Sequence, residues 1–135
     1  RVPRYAALAE RLKVAAHVRF AGAVDRATLA DMYRASNLLM HPSFYDPFPR
    51  AIVETLACGV PVATTAACGA AEIITQGETG FVMNDPRDIS TWVGVIETMA
   101  DPQRRAAMRE AAATTGRQFD FNTHAAEVAA WLEAS

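Results

Sequence analysis

Residues 38–65 read LLMHPSFYDPFPRAIVETLACGVPVATT, and this stretch decides the fold. It opens with three apolar residues of the kind that form a buried parallel strand. Residues 50–58 then carry apolar side chains at helical spacing, and the segment is followed by a glycine and soon by a proline. Residues 62–65 form the next strand-like run. A strand, a helix and a strand in this order predict an α/β unit with a parallel sheet.

The rest of the chain repeats this alternation. We expect strands at 18–21, 38–40, 62–65 and 81–83, and helices at 4–13, 50–58 and 70–75 and after Asp25, Asp85, Asp101 and Asn122. The prediction is one domain over residues 1–135, with a mainly parallel sheet and helices on both faces. The helix after Asp85 places Ile89, Trp92, Val93, Ile96 and Met99 on one stripe. Trp92 on this stripe and Trp131 on the final helix are both expected in the core.

Composition excludes several classes of protein. The chain has 135 residues and a formal net charge of −2, whereas proteins that bind nucleic acid usually carry a basic excess. No apolar stretch approaches the roughly 20 residues that cross a bilayer, and no signal peptide is recognisable. The two cysteines, Cys58 and Cys68, are expected to be buried free thiols, which fits a reducing compartment such as the cytoplasm.

Chemistry is expected in the loops that follow the strands, because ligands of open α/β sheets bind at the carboxyl ends of the strands. Residues 41–50 form such a loop and lead into a helix N-terminus, which offers free N–H groups to an anion. Asp46 precedes this helix, and Glu54 lies about 7 Å along its axis at a rise of ~1.5 Å per residue. This spacing suits a ligand with a diphosphate at the helix tip and hydroxyl-rich groups on either side.

These residues also have structural interpretations. Asp46 can be an Asx-turn or N-cap residue and Glu54 a solvated helix carboxylate, and the spacing alone leaves the choice open. His41 directly follows a predicted strand, so it is either a loop histidine fixed by Pro42 or a contact to a ligand.

Residues 46–62, DPFPRAIVETLACGVPV, resemble the donor-site motif of family GT4 (group 1) of the retaining glycosyltransferases with the GT-B fold. The family pattern is an acidic residue, seven others including Phe-Gly, a Glu, and then Ala-x-Ala-x-Gly-x-Pro-Val. Segments upstream and downstream also resemble the family, namely VRFAG at 18–22, residues 29–37, GAAEII at 69–74 and GETGF at 77–81. The resemblance covers nearly the whole chain.

The resemblance implies a Rossmann-like C-terminal half that binds a nucleoside diphosphate sugar. Glu54 resembles the residue that binds the ribose hydroxyls, and Asp46, the candidate catalytic residue, replaces a Glu that contacts the donor sugar near the reacting centre. The backbone N–H groups of Arg50 and Ala51 resemble those that hold the distal phosphate. Further donor contacts are expected from His41, Phe48, Pro49, Gly69 and Ala70. The resemblance implies neither a cofactor nor a metal ion.

Three positions depart from the family pattern. Asp46 is shorter than the usual Glu, Pro49 replaces a Gly and removes one backbone donor, and Thr55 replaces an Ala. The form around Asp46 is closest to that of enzymes that extend lipopolysaccharide cores.

The resemblance also implies parts that this chain lacks. Members of the family have an N-terminal acceptor domain, and two strands and a helix with an Arg and a Lys that neutralise the diphosphate. We therefore expect the chain to be inactive alone. The loss of two central strands predicts either that 18–21 pairs differently or that two copies associate.

The implied activity of the parent is transfer of a sugar, with retention, to a carbohydrate or lipid-linked acceptor. Its expected location is the cytoplasm, with a peripheral position at the inner membrane as an alternative. A non-catalytic nucleotide- or sugar-binding module is the second hypothesis, favoured by Asp46 and Pro49. A dinucleotide-binding oxidoreductase is disfavoured because no G-x-G-x-x-G follows a strand.

Overall fold

The computed structural model describes residues 2–133. Within this range the chain forms helices α1 (Val2–Arg11), α2 (Arg26–Ala35), α3 (Arg50–Ala57), α4 (Ile89–Ala100), α5 (Pro102–Arg117) and α6 (Phe121–Glu133), and strands β1 (Leu39–His41), β2 (Val62–Thr65) and β3 (Gly80–Met83). Short 3-10 helices cover Ala15–His17 and Gly69–Ile73. None of the helices in the described range is long and apolar enough to cross a membrane.

The three strands form one parallel sheet in the order β1-β2-β3. Val62 in β2 is aligned with Leu39 on one side and with Gly80 on the other. The strands predicted at 38–40, 62–65 and 81–83 are therefore confirmed to within one residue. Because the strands are parallel, all three deliver their following loops to the same edge of the sheet.

The core consists of two apolar clusters, one on each face of the sheet. Val62 belongs to the cluster under α3, and its neighbour Ala63 belongs to the cluster under α4, since successive strand residues point to opposite faces. Helix α5 contributes Ala112 to the first cluster and Met108 to the second. Helices on both faces of a parallel sheet confirm the predicted fold class.

Helices α3 and α5 approach each other closely because α5 carries a glycine at the contact. A Cβ atom at Gly116 would lie 2.1 Å from the backbone nitrogen of Ala57. Only a residue without a side chain permits this approach. The contact holds α3, which carries the candidate site, against the rest of the domain.

The strand predicted at 18–21 is wrong, because these residues form no strand and pair with none in the described structure. Val18 and Phe20 are 41% and 42% exposed. Residues 18–21 do alternate between polar and apolar side chains, but a strand also needs a neighbouring strand to pair its backbone hydrogen-bonding groups. The alternative in which 18–21 pairs differently within the chain is therefore also wrong, while association of two copies is untested.

Several helix boundaries differ from the predictions. Helix α4 begins at Ile89 because Asp88, rather than Asp85, caps it by accepting from the Thr91 N–H. Asp120, rather than Asn122, accepts from the first N–H groups of α6. The predicted helices at 4–13 and 70–75 are α1 and the second 3-10 helix.

The predicted apolar stripe of α4 is only half right. Trp92 and Met99 are buried, whereas the other three members of the stripe are exposed: Ile89, Val93 and Ile96. The core position is confirmed for Trp92 and wrong for Trp131, which is 68% exposed.

Candidate functional site

The candidate site lies at the carboxyl edge of the sheet, where the loops after β1 and β2 are joined through their backbones. The N–H of Asp46 donates to the carbonyl of Ala67 at 3.4 Å, and the N–H of Gly69 donates to the carbonyl of Asp46 at 2.9 Å. Asp46 and Cys68 thereby form a parallel bridge outside the main sheet. This bridge holds the Asp46 backbone next to the loop after β2.

Gly69 allows the two loops to pack this closely. A Cβ atom at Gly69 would lie 1.8 Å from the carbonyl oxygen of Pro47, well inside van der Waals contact. The structure thus gives Gly69 a role in shaping the loops. Its predicted contact to a donor stays a prediction.

His41 and Asp46 face each other across the start of the β1 loop. The distance from His41 Nε2 to Asp46 Oδ2 is 3.5 Å, and the two side chains are 28% and 33% exposed. The backbone of this segment is tied to β2, because Thr64 Oγ1 donates to the carbonyl of His41 at 3.1 Å. The structure therefore places the His41 side chain next to the Asp46 carboxylate. The interpretation of His41 as a loop histidine fixed by Pro42 does not require this position.

Helix α3 begins without a side-chain cap. Pro49 is its N-cap residue and forms no side-chain hydrogen bond. In the described structure the N–H groups of Arg50 and Ala51 have no hydrogen-bond partner, as expected for the first turn of an uncapped helix. Pro49 has no backbone N–H, but it precedes Arg50 and Ala51, and the N–H groups of these two residues remain available. The tip of α3 can therefore still bind an anion.

Glu54 lies one turn inside α3 and lines a cavity of about 340 Å³ between α2 and α3. Its side chain is half-buried, which disfavours the interpretation as a freely solvated carboxylate. Tyr33 of α2 lines the same cavity. Burial raises the pKa of the Tyr33 phenol, and the negative charge of Glu54 raises it further. Glu54 and the phenol are therefore close enough to interact.

Sequence reasoning missed the other walls of this cavity. They are formed by Arg26, Leu29, Ala30, Ala57 and Cys58. Helical spacing places Leu29 and Tyr33 on one face of α2, but only the packing of α2 on α3 shows that this face meets Glu54. The expectation of a buried thiol is confirmed for Cys68, which is 2% exposed, and wrong for Cys58, which is only partly buried.

Arg87 was also missed. It lies in the loop after β3, and its guanidinium carbon is 4.9 Å from the centre of the Phe44 ring. This cation–π contact connects the loop after β3 to the loop that carries Asp46. Nothing in the local sequence pattern predicts a contact over such a separation.

Two residues with predicted donor contacts, Ala70 and Phe48, pack against other parts of the chain. Ala70 is fully buried in the cluster under α3, so the structure gives it a packing role, and its donor contact stays a prediction. Phe48 is 40% exposed, and its ring lies 6.1 Å from that of Phe119. Part of the Phe48 ring therefore packs on the segment after α5, and its donor contact stays a prediction.

The backbone N–H groups of the site can bind an anion, and its carboxylates can accept hydrogen bonds from hydroxyls. The described residues contain no group of three or more His, Cys, Asp or Glu side chains arranged to hold a metal ion. What the site offers instead is two carboxylates, one imidazole and a pair of backbone N–H groups.

A parallel sheet with helices on both faces and polar groups at the carboxyl ends of its strands defines a Rossmann-like α/β domain. Within that class the chain belongs to the family of glycosyl transferases group 1, whose model matches residues 2–115.

Curated relatives and solved structures agree with this family. The chain is 35% identical over 125 residues to D-inositol 3-phosphate glycosyltransferase 2 of Catenulispora acidiphila, covering 90% of this chain and 29% of that protein. Sucrose-phosphate synthase from Thermosynechococcus elongatus superposes with a TM-score of 0.88 at 26% identity, over 98% of this chain and 33% of that one.

HepE from Anabaena, solved with UDP, superposes with a TM-score of 0.86 at 29% identity, over 99% of this chain and 37% of that one. HepE has also been solved with UDP-glucose. WaaG, a glycosyltransferase involved in lipopolysaccharide biosynthesis, superposes with a TM-score of 0.72 at 28% identity, over 88% of this chain and 31% of that one. The match to these structures identifies the fold as that of the C-terminal domain of GT-B glycosyltransferases. The chain spans less than a third of the length of the curated relative.

Proposed function

We propose that this chain binds a nucleoside diphosphate sugar, and that a longer protein containing it transfers the sugar, with retention, to a carbohydrate or lipid-linked acceptor. The observation that carries the proposal is the arrangement around α3. Asp46 and Glu54 lie on either side of an uncapped helix N-terminus, and Glu54 lines a cavity. Membership of the family, and the complexes of HepE with UDP and UDP-glucose, support it.

The candidate site contains a group that can bind each part of such a donor. The diphosphate accepts hydrogen bonds from the N–H groups of Arg50 and Ala51, where the helix dipole favours negative charge. The ribose hydroxyls donate to Glu54, and the base occupies the cavity between α2 and α3. At about 340 Å³ the cavity falls in the range of small-molecule sites. The sugar lies beside Asp46 and His41.

The binding experiment uses the chain itself. We expect NMR titration with UDP, GDP and ADP to shift the amide signals of the first turn of α3 and of the residues that line the cavity. Glu54→Gln should weaken binding of the preferred nucleotide about tenfold, which is about 1.4 kcal/mol and close to the lower end of the range for a hydrogen bond to a charged group. Glu97→Gln is the matched control, because Glu97 is an exposed residue of α4. Equal nucleotide affinity in Glu54→Gln and Glu97→Gln would remove Glu54 from the site.

Turnover needs more positive charge than this site supplies. The departing diphosphate must be stabilised electrostatically, and Arg50 is the single basic residue of α3. We therefore propose that the chain does not turn over alone, and that cations from another part of a longer protein complete the site. The proposed reaction uses no metal ion and no cofactor, so a chelator should leave the turnover of that longer protein unchanged.

The acceptor is proposed at the level of its class. The curated relatives are D-inositol 3-phosphate glycosyltransferases, while the similarity to WaaG supports a lipopolysaccharide acceptor. The two free cysteines favour the cytoplasm as the location, and a peripheral position at the inner membrane belongs to the same proposal. Assay of the longer protein with inositol 3-phosphate and with lipopolysaccharide core acceptors separates the two acceptors.

A non-catalytic binding module is the second candidate. Asp46 is shorter than the usual Glu of the resemblance, and Pro49 replaces a Gly at the N-cap of α3. Sugar transfer by the longer protein from any nucleotide donor would exclude this candidate.

We also propose that two copies of this chain associate through β1. In the described residues β1 pairs on one side only, and Met40 in that strand is 39% exposed. An unpaired strand edge invites pairing with another chain. Sedimentation should show a dimer whose dissociation is favoured by Met40→Lys, and a monomer at all concentrations would contradict it.

A further inference from the structure

The two ring nitrogens of His41 lie in different surroundings. The Nε2 atom is buried and forms no hydrogen bond in the described structure. The Nδ1 atom forms no hydrogen bond there either, but it is not buried, and the side chain as a whole is 28% exposed. Buried polar groups are almost always hydrogen-bonded, so the unpaired Nε2 atom calls for an explanation.

The carboxylate of Asp46 is the charged group beside this nitrogen. Asp46 Oδ2 lies 3.5 Å from His41 Nε2, which is an ion-pair distance but is longer than the ~2.7–3.2 Å of an N–H···O hydrogen bond. The two backbones are held by other bonds, because Thr64 Oγ1 donates to the His41 carbonyl and the backbone of Asp46 is bonded to the loop after β2. A movement of ~0.5 Å by the Asp46 side chain is therefore enough to form the hydrogen bond.

We infer that His41 is a positioning residue for Asp46: its Nε2–H donates to Asp46 Oδ2 and leaves Oδ1 free to accept from a hydroxyl of the donor sugar. The neutral imidazole with its proton on Nε2 and the charged imidazolium both supply this donor. Holding one carboxylate oxygen lowers the cost of ordering Asp46 when a sugar binds. The part of the inference that concerns the sugar rests on the proposed function, whereas the contact between the two side chains does not.

Direct contact of His41 with the sugar is the alternative, and it would use the other ring nitrogen. A ligand cannot reach the buried Nε2 atom, but it can reach Nδ1. The amide nitrogen of glutamine is the same number of bonds from Cβ as Nε2 of histidine, and that of asparagine is the same number of bonds as Nδ1. His41→Gln therefore keeps a donor at the Nε2 position, whereas His41→Asn keeps a polar group only at the Nδ1 position.

The first test uses no ligand and records the NMR signals of the His41 imidazole. We expect a proton on Nε2 that resonates downfield and exchanges slowly with water, because it is buried and bonded to a carboxylate. Asp46→Ala should abolish the downfield shift, while the backbone bonds of residue 46 do not depend on its side chain. The exposed His17 and His124 are internal controls whose signals should stay unchanged. An Nε2 signal that is the same in wild type and Asp46→Ala overturns the inference, as does a proton on Nδ1 alone.

The second test compares the binding of UDP-glucose with that of UDP, which lacks the sugar. We expect His41→Asn to weaken UDP-glucose binding about fivefold, within the range for the net loss of a hydrogen bond, and to leave UDP binding unchanged. His41→Gln should bind both ligands within about twofold of wild type, because it keeps the donor that faces Asp46. If the chain prefers GDP or ADP, that nucleotide and its glucose conjugate are used.

A double substitution separates a role through Asp46 from a role of His41 alone. On the Asp46→Ala background, His41→Asn should have no further effect on UDP-glucose binding. A further loss on that background overturns the positioning role. So does unchanged UDP-glucose binding in His41→Asn, an equal loss for both ligands, or a loss in His41→Gln without one in His41→Asn. A wild-type chain that binds none of the nucleotides overturns the proposed function, and the Nε2 signal then still decides whether His41 holds Asp46.

Discussion

Replacing Gly69 by alanine tests whether the two loops of the site are held together by their backbones. The added Cβ would lie 1.8 Å from the carbonyl oxygen of Pro47 and 2.9 Å from its carbonyl carbon. Ordinary contact distances are roughly 3.4 Å or more, so the loops must separate by more than about 1 Å. That movement breaks the 2.9 Å hydrogen bond from the Gly69 N–H to the Asp46 carbonyl.

We expect Gly69→Ala to lower the free energy of unfolding by about 1–3 kcal/mol, the range for overpacking. It should also displace Asp46 from His41, and in a longer protein that turns over, a misplacement of about 1 Å can reduce the rate on the order of 100-fold. Urea unfolding measures the first effect, and the amide shifts of Asp46 and His41 report the second.

The matched control for this substitution is Gly94→Ala. Gly94 is an exposed residue of α4, and a Cβ there meets nothing within 4 Å. Alanine is favoured over glycine inside a helix by roughly 0.5–1 kcal/mol, so this control should be slightly more stable than wild type. If Gly69→Ala unfolds at the wild-type urea concentration with unmoved Asp46 shifts, the backbone bridge does not hold the site.

Two further substitutions test the packing and the capping of the helices. Gly116→Ala should lower the free energy of unfolding, measured in urea, by about 1–3 kcal/mol, because its Cβ would lie 2.1 Å from the Ala57 nitrogen. A stability equal to that of Gly94→Ala would contradict the close approach of α3 and α5. Hydrogen bonds from Ser90 and Thr91 lower the pKa of Asp88 to about 2, below the value near 3.9 of an unfolded chain. The contribution of Asp88 to stability is therefore present above about pH 4 and lost as the pH falls towards about 2. The difference in Tm between wild type and Asp88→Asn should accordingly shrink over that range, and a difference independent of pH would contradict the role of the Asp88 charge.

The local pattern predicted those parts of the fold that local forces determine. The strands at 38–40 and 62–65 and the helix between them carry their own signals, namely an apolar run, a helical spacing and a glycine followed by a proline. The spacing of Asp46 and Glu54 around a helix start drew attention to them but left their role open, and the resemblance to the family assigned it.

The parts that sequence reasoning missed depend on partners distant in the chain. The segment 18–21 has the alternation of a strand, but no strand lies beside it in the described residues. Helix α4 is apolar on more than one side, so periodicity could not tell that Trp92 faces the core and Ile96 does not. Ala70 follows a site glycine directly, and only the three-dimensional packing shows that it is buried.

The two ends of the candidate site are stabilised by different interactions. Asp46 is held by backbone hydrogen bonds between the loops after β1 and β2, which involve no side chain of α2. Glu54 is held by the packing of α2 on α3, and its neighbour in the cavity is Tyr33. The N-terminus of α3 lies between the two, and α5 packs against the opposite end of that helix, at Ala57, without an intervening side chain. A ligand that spans both ends would therefore meet a preformed spacing along α3, while the sugar end and the ribose end could each be altered by substitutions that leave the other unchanged.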